Sequence, residues 1–104
     1  MGIRIIWSPE AAEDLEHIKN YIARDSEYYA KSVVKKILVA SKSISNFPYS
    51  GRIVPEIGDP NLRERIIYSY RMIYKIRKES ILITAIIHGK QLIDDLSWAV
   101  EYRS

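Results

Sequence analysis

Apolar residues recur along this chain in two rhythms, and the change between them falls near residue 60. Ile3 to Trp7 is a short β-branched and aromatic run that reads as a strand. Ser8-Pro9-Glu10 follows it. Serine suits an N-cap, proline the first helical position, and an acid the positive end of the helix dipole, so a helix should begin here. Ala11, Leu15, Ile18 and Ile22 lie at steps of four, three and four, one face of that helix. Asp25-Ser26 breaks the stripe and supplies a new cap. Ala30, Val33, Val34, Ile37, Ser41 and Ile44 then trace a second helix to about Phe47, with Lys31, Lys35, Lys36 and Lys42 outside. Pro48 lacks the amide donor to continue it. The two helices are expected to form an antiparallel hairpin.

From Pro48 to Pro60 turn formers dominate, predicting a surface loop with an extended piece around Ile53-Val54. Beyond it the period becomes two. Leu62 to Ile67, Arg71 to Arg77 and Ile81 to His88 read as three strands joined by hairpin-length connections, a meander. In the middle run Tyr70, Met72, Tyr74 and Ile76 point one way and Arg71, Ile73, Lys75 and Arg77 the other. The first set should carry the helices, leaving the Arg71 face open to a partner. After Gly89, Leu92, Leu96 and Ala99 suggest a short terminal helix or tail.

Composition narrows the function. A chain of 104 residues suits one domain, and 47% hydrophobic with 28% charged residues suits a folded, soluble protein. Without cysteine there is no disulfide, thiolate-metal site or thiol nucleophile, and a reducing compartment is compatible. No apolar run approaches a signal core or a membrane span, so a cytoplasmic location is expected. The net charge of +3 is modest, but Arg63, Arg65, Arg71, Lys75, Arg77 and Lys78 crowd one stretch against Glu64 alone, which suits an acidic partner.

Phosphate loops, dinucleotide fingerprints and serine elbows are absent from the sequence. Histidine is the side-chain type best suited to acid-base chemistry near neutrality, but His88 has no sequence-adjacent partner, and a cap on the sheet end suits it better. His17, on a helix flank beside Lys19, reads as solvated. His88, Asp94 and Asp95 have no recognised metal-ligand spacing, so neither metal nor cofactor is expected. Trp7, Tyr74 and Phe47 are read as core, whereas Tyr68 and Tyr70 flank a turn beside Arg71 and could meet a partner. Trp98 could close the core or anchor a partner protein.

Four phrases in order resemble the ParE/RelE toxin superfamily of type II toxin-antitoxin, or plasmid stabilisation, systems. They are Ile6-Trp7-Ser8-Pro9-Glu10-Ala11-Ala12-Glu13-Asp14-Leu15, Phe47-Pro48-Tyr49-Ser50-Gly51-Arg52, Tyr70-Arg71-Met72-Ile73-Tyr74 and Ile87-His88-Gly89-Lys90. The resemblance implies an α+β fold, with the helical hairpin packed on a mainly antiparallel four-stranded sheet whose edge is the N-terminal strand. It also implies a cognate, partly disordered antitoxin that binds operator DNA, and a cellular target. RelE-like members cleave messenger RNA on the ribosome; ParE-like members poison DNA gyrase without hydrolysis. Arg71 matches the RelE-type strand arginine. Gln91 stands where that type places a second arginine, Asp94 and Asp95 follow, and Tyr102 lies further along than the RelE-type tyrosine, so the chain leans towards ParE. The implied target surface is Arg52, Arg63, Arg65, Tyr70, Arg71 and Lys90, with Trp98 towards the antitoxin. The RNase alternative would use Arg71 with Arg65, His88 or Lys90. A further alternative is a non-toxic antitoxin-binding module.

Overall fold

The chain alternates as expected through its first half. In the computed structural model, which describes residues 2–89, strand β1 (Arg4–Trp7) leads into helix α1 (Pro9–Ala23) and helix α2 (Glu27–Asn46). Ser8 caps α1, its Oγ accepting from the Ala11 amide at 3.0 Å, and Ser26 caps α2 by accepting from the Tyr29 amide at 3.1 Å. Both caps satisfy amides that a helix start leaves without an intrahelical acceptor. A 3₁₀ turn at Pro48–Ser50 ends the hairpin. Strands β2 (Arg52–Ile53), β3 (Leu62–Ile67), β4 (Tyr70–Ile76) and β5 (Ser80–His88) complete one five-stranded sheet in the order β1-β5-β4-β3-β2.

Two features correct the expected architecture. The sheet has five strands rather than four, because Arg52 and Ile53 pair with Glu64 and Arg63. The sheet's far face is also closed. The expected core is present: Val33, Ile37 and Ile44 of α2 pack with Met72, Tyr74, Ile81 and Ile83 on one face. A second cluster of Val54, Leu62, Ile73, Ala85 and Ile87, with Ile57 against it, fills the opposite face beneath the segment 54–60. Strand β5 therefore lies between two apolar layers, which accounts for its unbroken run of apolar residues and Thr84. Thr84 is the extra residue of a bulge, since Ile73 faces Ala85 whereas Tyr74 faces Ile83. Its hydroxyl donates to the Ile73 carbonyl, and its own carbonyl accepts from Ser8 Oγ, both at 3.2 Å.

β1 runs parallel to β5 from Arg4↔Ser80 to Trp7↔Ile83 and stops there. The edge of β5 beyond it is capped by α1, where the Asp14 carboxylate accepts from the Ile86 amide at 3.0 Å. Burial pushes the Asp14 carboxyl up, and that amide bond partly counters the rise.

Phe47 departs from its expected place in the core: it ends α2 and is 66% exposed. Trp7 packs half-buried against the first cluster and Tyr74 is fully buried, as expected. Gly51 is needed where it stands. A Cβ there would lie 2.5 Å from Tyr74 Oη and 2.6 Å from the Glu64 carbonyl oxygen. The second contact is backbone and cannot swing aside, so Gly51→Ala should cost about 1–3 kcal/mol, read as a lower urea midpoint at unchanged slope.

Candidate functional site

The alternation of a strand decides which residues can meet, and it separates the expected surface into two. Arg52, Glu64 and Ile73 are cross-strand neighbours on the far face, and Arg71 lies opposite Ile87 on that face. Arg63 and Arg65 lie opposite Tyr74 and Met72 on the helix face, and Tyr70 lies opposite His88 there. Arg71 is thus on the other side of the sheet from Arg65 and His88. Lys90, Gln91, Asp94, Asp95, Trp98 and Tyr102 lie outside the described residues, as does the expected terminal helix.

Arg71 is not on an open basic face. Its side chain is 7% exposed because segment 54–60 folds over it. Its guanidinium donates to both oxygens of Glu56, from Nη1 and Nη2 at 3.0 Å each, and from Nε to Glu64 Oε1 at 2.7 Å. Glu64, its side chain fully buried, also accepts from Arg52 Nε on the neighbouring strand. Two arginines and two glutamates thus form a charge-balanced chain from β2 across β3 to β4 and into the loop. Lys75 ties the same strand to the same loop, its Nζ lying 3.2 Å from Asp59 Oδ2. The Glu56 hydrogen bonds, the first cause, hold the Arg71 guanidinium above its ordinary value against its burial. Sequence reading missed Glu56, Asp59 and the buried role of Glu64. The available signal was that Ile73 stands among the cations of β4 and Val54 and Ile57 sit in the loop, an apolar pattern that needs a second covered face.

The same hydrogen bond from Arg71 is the main cause of a lowered Glu56 carboxyl pKa. A carboxylate with a depressed folded pKa contributes stability above its unfolded pKa, near the ordinary 4.5, and loses it as pH falls through the folded value. Glu56→Gln should therefore flatten the decline in stability below about pH 4.5, a difference read by urea titration at successive pH values. Coincident wild-type and variant pH profiles would contradict it.

The remaining residues hold local positions. Arg63 stacks on the Tyr49 ring, its Cζ 4.9 Å from the centroid, and donates to the Pro60 and Gly51 carbonyls at 2.7 and 3.1 Å. It pins the loop's two ends. Arg65 reaches Ser43 on α2 at 3.4 Å. His88 meets Tyr70 edge-on at 5.8 Å, and both line a cleft of about 390 Å³ with Asp14, His17 and Tyr21. Among the described residues no group of three acidic, histidine or cysteine side chains could hold a metal ion, and no helix is long and apolar enough to cross a membrane.

A helical hairpin on one side of a five-stranded mixed sheet, with the N-terminal strand at its edge and an arginine locked on the central strand, defines a small two-layer α+β domain. The family model for the ParE toxin of type II toxin-antitoxin systems (parDE) matches residues 5–93, and the chain belongs to that family. A solved chromosomal ParDE system from P. aeruginosa superposes with a TM-score of 0.70 at 20% identity, covering 85% of this chain and 97% of that one. A YoeB/ParE toxin from Agrobacterium tumefaciens gives 0.61 at 15% identity, with 83% and 98% covered. A YoeB dimer from Staphylococcus aureus gives 0.58 at 23%, with 85% and 98% covered. These likenesses show the fold. A comparison with curated proteins found no match.

Proposed function

We propose that this ParE-family toxin acts in the cytoplasm as a non-hydrolytic inhibitor of an essential target, DNA gyrase by family likeness, and is neutralised by a cognate antitoxin. The observation that carries the non-hydrolytic reading is the state of Arg71. Clamping a phosphate in a transition state needs a guanidinium whose donors are available. Here Nε, Nη1 and Nη2 are already committed to Glu64 and Glu56 within a closed face. The proposed target contacts are Arg52, Arg63, Arg65 and Tyr70, with Lys90; Trp98 is assigned to the antitoxin. The antitoxin's other half would bind operator DNA.

A second reading is favoured by one observation: Glu56 is 39% exposed and forms a bidentate pair with Arg71. A carboxylate base beside a guanidinium is a pairing that ribosome-dependent RNA cleavage could use if the loop moved aside. Induced expression without antitoxin separates the readings. Arrest with a DNA-damage response and intact reporter messenger RNA supports the first; arrest with ribosome-dependent cuts that vanish in Glu56→Gln supports the second. Growth without arrest would leave a binding module.

A further inference from the structure

Segment 54–60 covers the far face of the sheet but adds no strand to it. The Ile57 and Gly58 amides donate to the Val54 carbonyl at 3.1 and 2.9 Å, which closes a turn inside the segment rather than a bond to the sheet. Both ends are pinned by one side chain on the opposite face, since Arg63 donates to the Pro60 carbonyl and to the Gly51 carbonyl. Val54 is buried and its amide donates to the Leu62 carbonyl at 3.2 Å, so it belongs to a fixed end. Between these points residues 55–59 reach the sheet through the side chains of Glu56, Ile57 and Asp59. The tip is unpacked: Gly58 adopts φ 74, and a Cβ there would meet nothing within 4 Å.

Charge dominates these anchors. Ile57 is only partly buried against the second cluster, so its apolar contribution is modest. Asp59 accepts from Lys75, and Glu56 holds Arg71 by both carboxylate oxygens. Glu56 faces Arg71 on β4 and Arg52 on β2; Glu64 on β3, Lys75 on β4 and Asp59 in the segment itself carry the remaining charge around it, and β5 presents Ala85 and Ile87. The pair is also unequal in its access to water. Glu56 is 39% exposed while Arg71 is nearly covered, so a proton can reach the carboxylate with the guanidinium still enclosed. Protonating Glu56 removes the charge that balances Arg71 and leaves residues 55–59 with Ile57 and Asp59 as anchors.

We propose that residues 55–59 form a charge-held strap that lifts from the sheet when Glu56 is protonated, while the helix-side core stays folded. Closed, the strap fills the Arg71 fork with Glu56 and leaves the far face charge-balanced. Lifted, it leaves Arg52, Arg71 and Lys75 facing Glu64 alone, and Ile73 and Ile87 meet water. The open basic face that strand alternation predicts is then a second state of the same domain, reached without breaking the sheet. Hydrogen bonding to Arg71 lowers the Glu56 pKa, so closure is fully supported above the ordinary 4.5 and is lost as pH falls through the lower folded value. The switch belongs to the domain itself and does not rest on the function proposed above.

NMR of the full chain, titrated from about pH 7 to about pH 3, follows the Glu56 carboxyl and the isoleucine methyls together. The Ile57, Ile73 and Ile87 methyls should shift with the Glu56 midpoint, and those of Ile37 and Ile44 in the helix-side core should not. A water-soluble paramagnetic probe should broaden Ile73 and Ile87 at the acid end and spare them at neutral pH. In Glu56→Gln at neutral pH the same signals should already lie part of the way to the acid end point. The Arg71 Nη protons of that variant should exchange with water at least about tenfold faster than in the parent. Adding Asp59→Asn should move the signals further along the same line. The proposal is overturned if Ile73 and Ile87 stay protected from the probe while Glu56 titrates, or if Glu56→Gln keeps the parent's spectrum and Arg71 exchange. It is also overturned if Ile37 and Ile44 respond at the same midpoint, because the whole domain and not a strap would then be opening.

Discussion

Glu64→Ala should lower the unfolding free energy by about 3 kcal/mol, seen as a fall in thermal midpoint of roughly 12 °C or more. Glu64 sits with no side-chain exposure between Arg52 and Arg71. Removing it strands a guanidinium that is itself 7% exposed. The loss should fall at the low end of what breaking a buried ion pair costs, because Glu56 still holds two of the guanidinium nitrogens. A companion variant identifies the cause. Replacing Glu64 and Arg71 together by leucine removes both buried charges, and Arg52 and Glu56 can turn to water, so the double variant should recover most of the stability lost in Glu64→Ala. If the double variant is as unstable as the single, shape in the second core rather than an unpaired charge sets the cost.

The second large effect is expected at Tyr74. Its ring lies in the helix-side core with no exposure, and its hydroxyl donates to the Pro48 carbonyl at 2.8 Å while accepting from the Gly51 amide at 3.0 Å. One side chain thus fastens the central strand β4 to the connection between α2 and β2. Burial pushes its phenol pKa up, so the hydroxyl keeps its proton and its donor role throughout the neutral range. Tyr74→Phe keeps the packing but leaves the amide and carbonyl without partners, costing about 2 kcal/mol. Tyr74→Ala adds a cavity, bringing the loss to about 4–5 kcal/mol. Urea melts of the two variants check the step between them; a Tyr74→Phe protein as stable as the parent would mean water replaces both bonds.

Much of the first layer was legible because local chemistry and tertiary packing agree there. Ser8-Pro9-Glu10 and Asp25-Ser26 mark helix starts through capping groups that work the same way in any context, and Ile37 and Ile44 fall on the buried stripe that their spacing defines. Arg71 was misplaced for a different reason. Alternation assigns it to the far face correctly, but whether that face meets water depends on the path of a loop, and Val54, Glu56 and Asp59 carry no periodic signal that reveals where they fold. A two-residue strand such as Arg52–Ile53 is likewise too short to have a period. The division of Arg65 and His88 from Arg71 was accessible in principle, since it follows from odd and even positions once the strand pairing is known.

The parallel pairing of the first strand with the last has a consequence for synthesis. Ser8 and Thr84 are 76 residues apart in sequence and bonded in the fold, and among the described residues β1 pairs only with β5. Helix α2 can form as it leaves the ribosome, but the edge at β1 must wait until Ser80–Ile83 has emerged, and closing so long a loop slows folding. This order of assembly gives an interval in which the hairpin is already displayed and the complete domain does not yet exist.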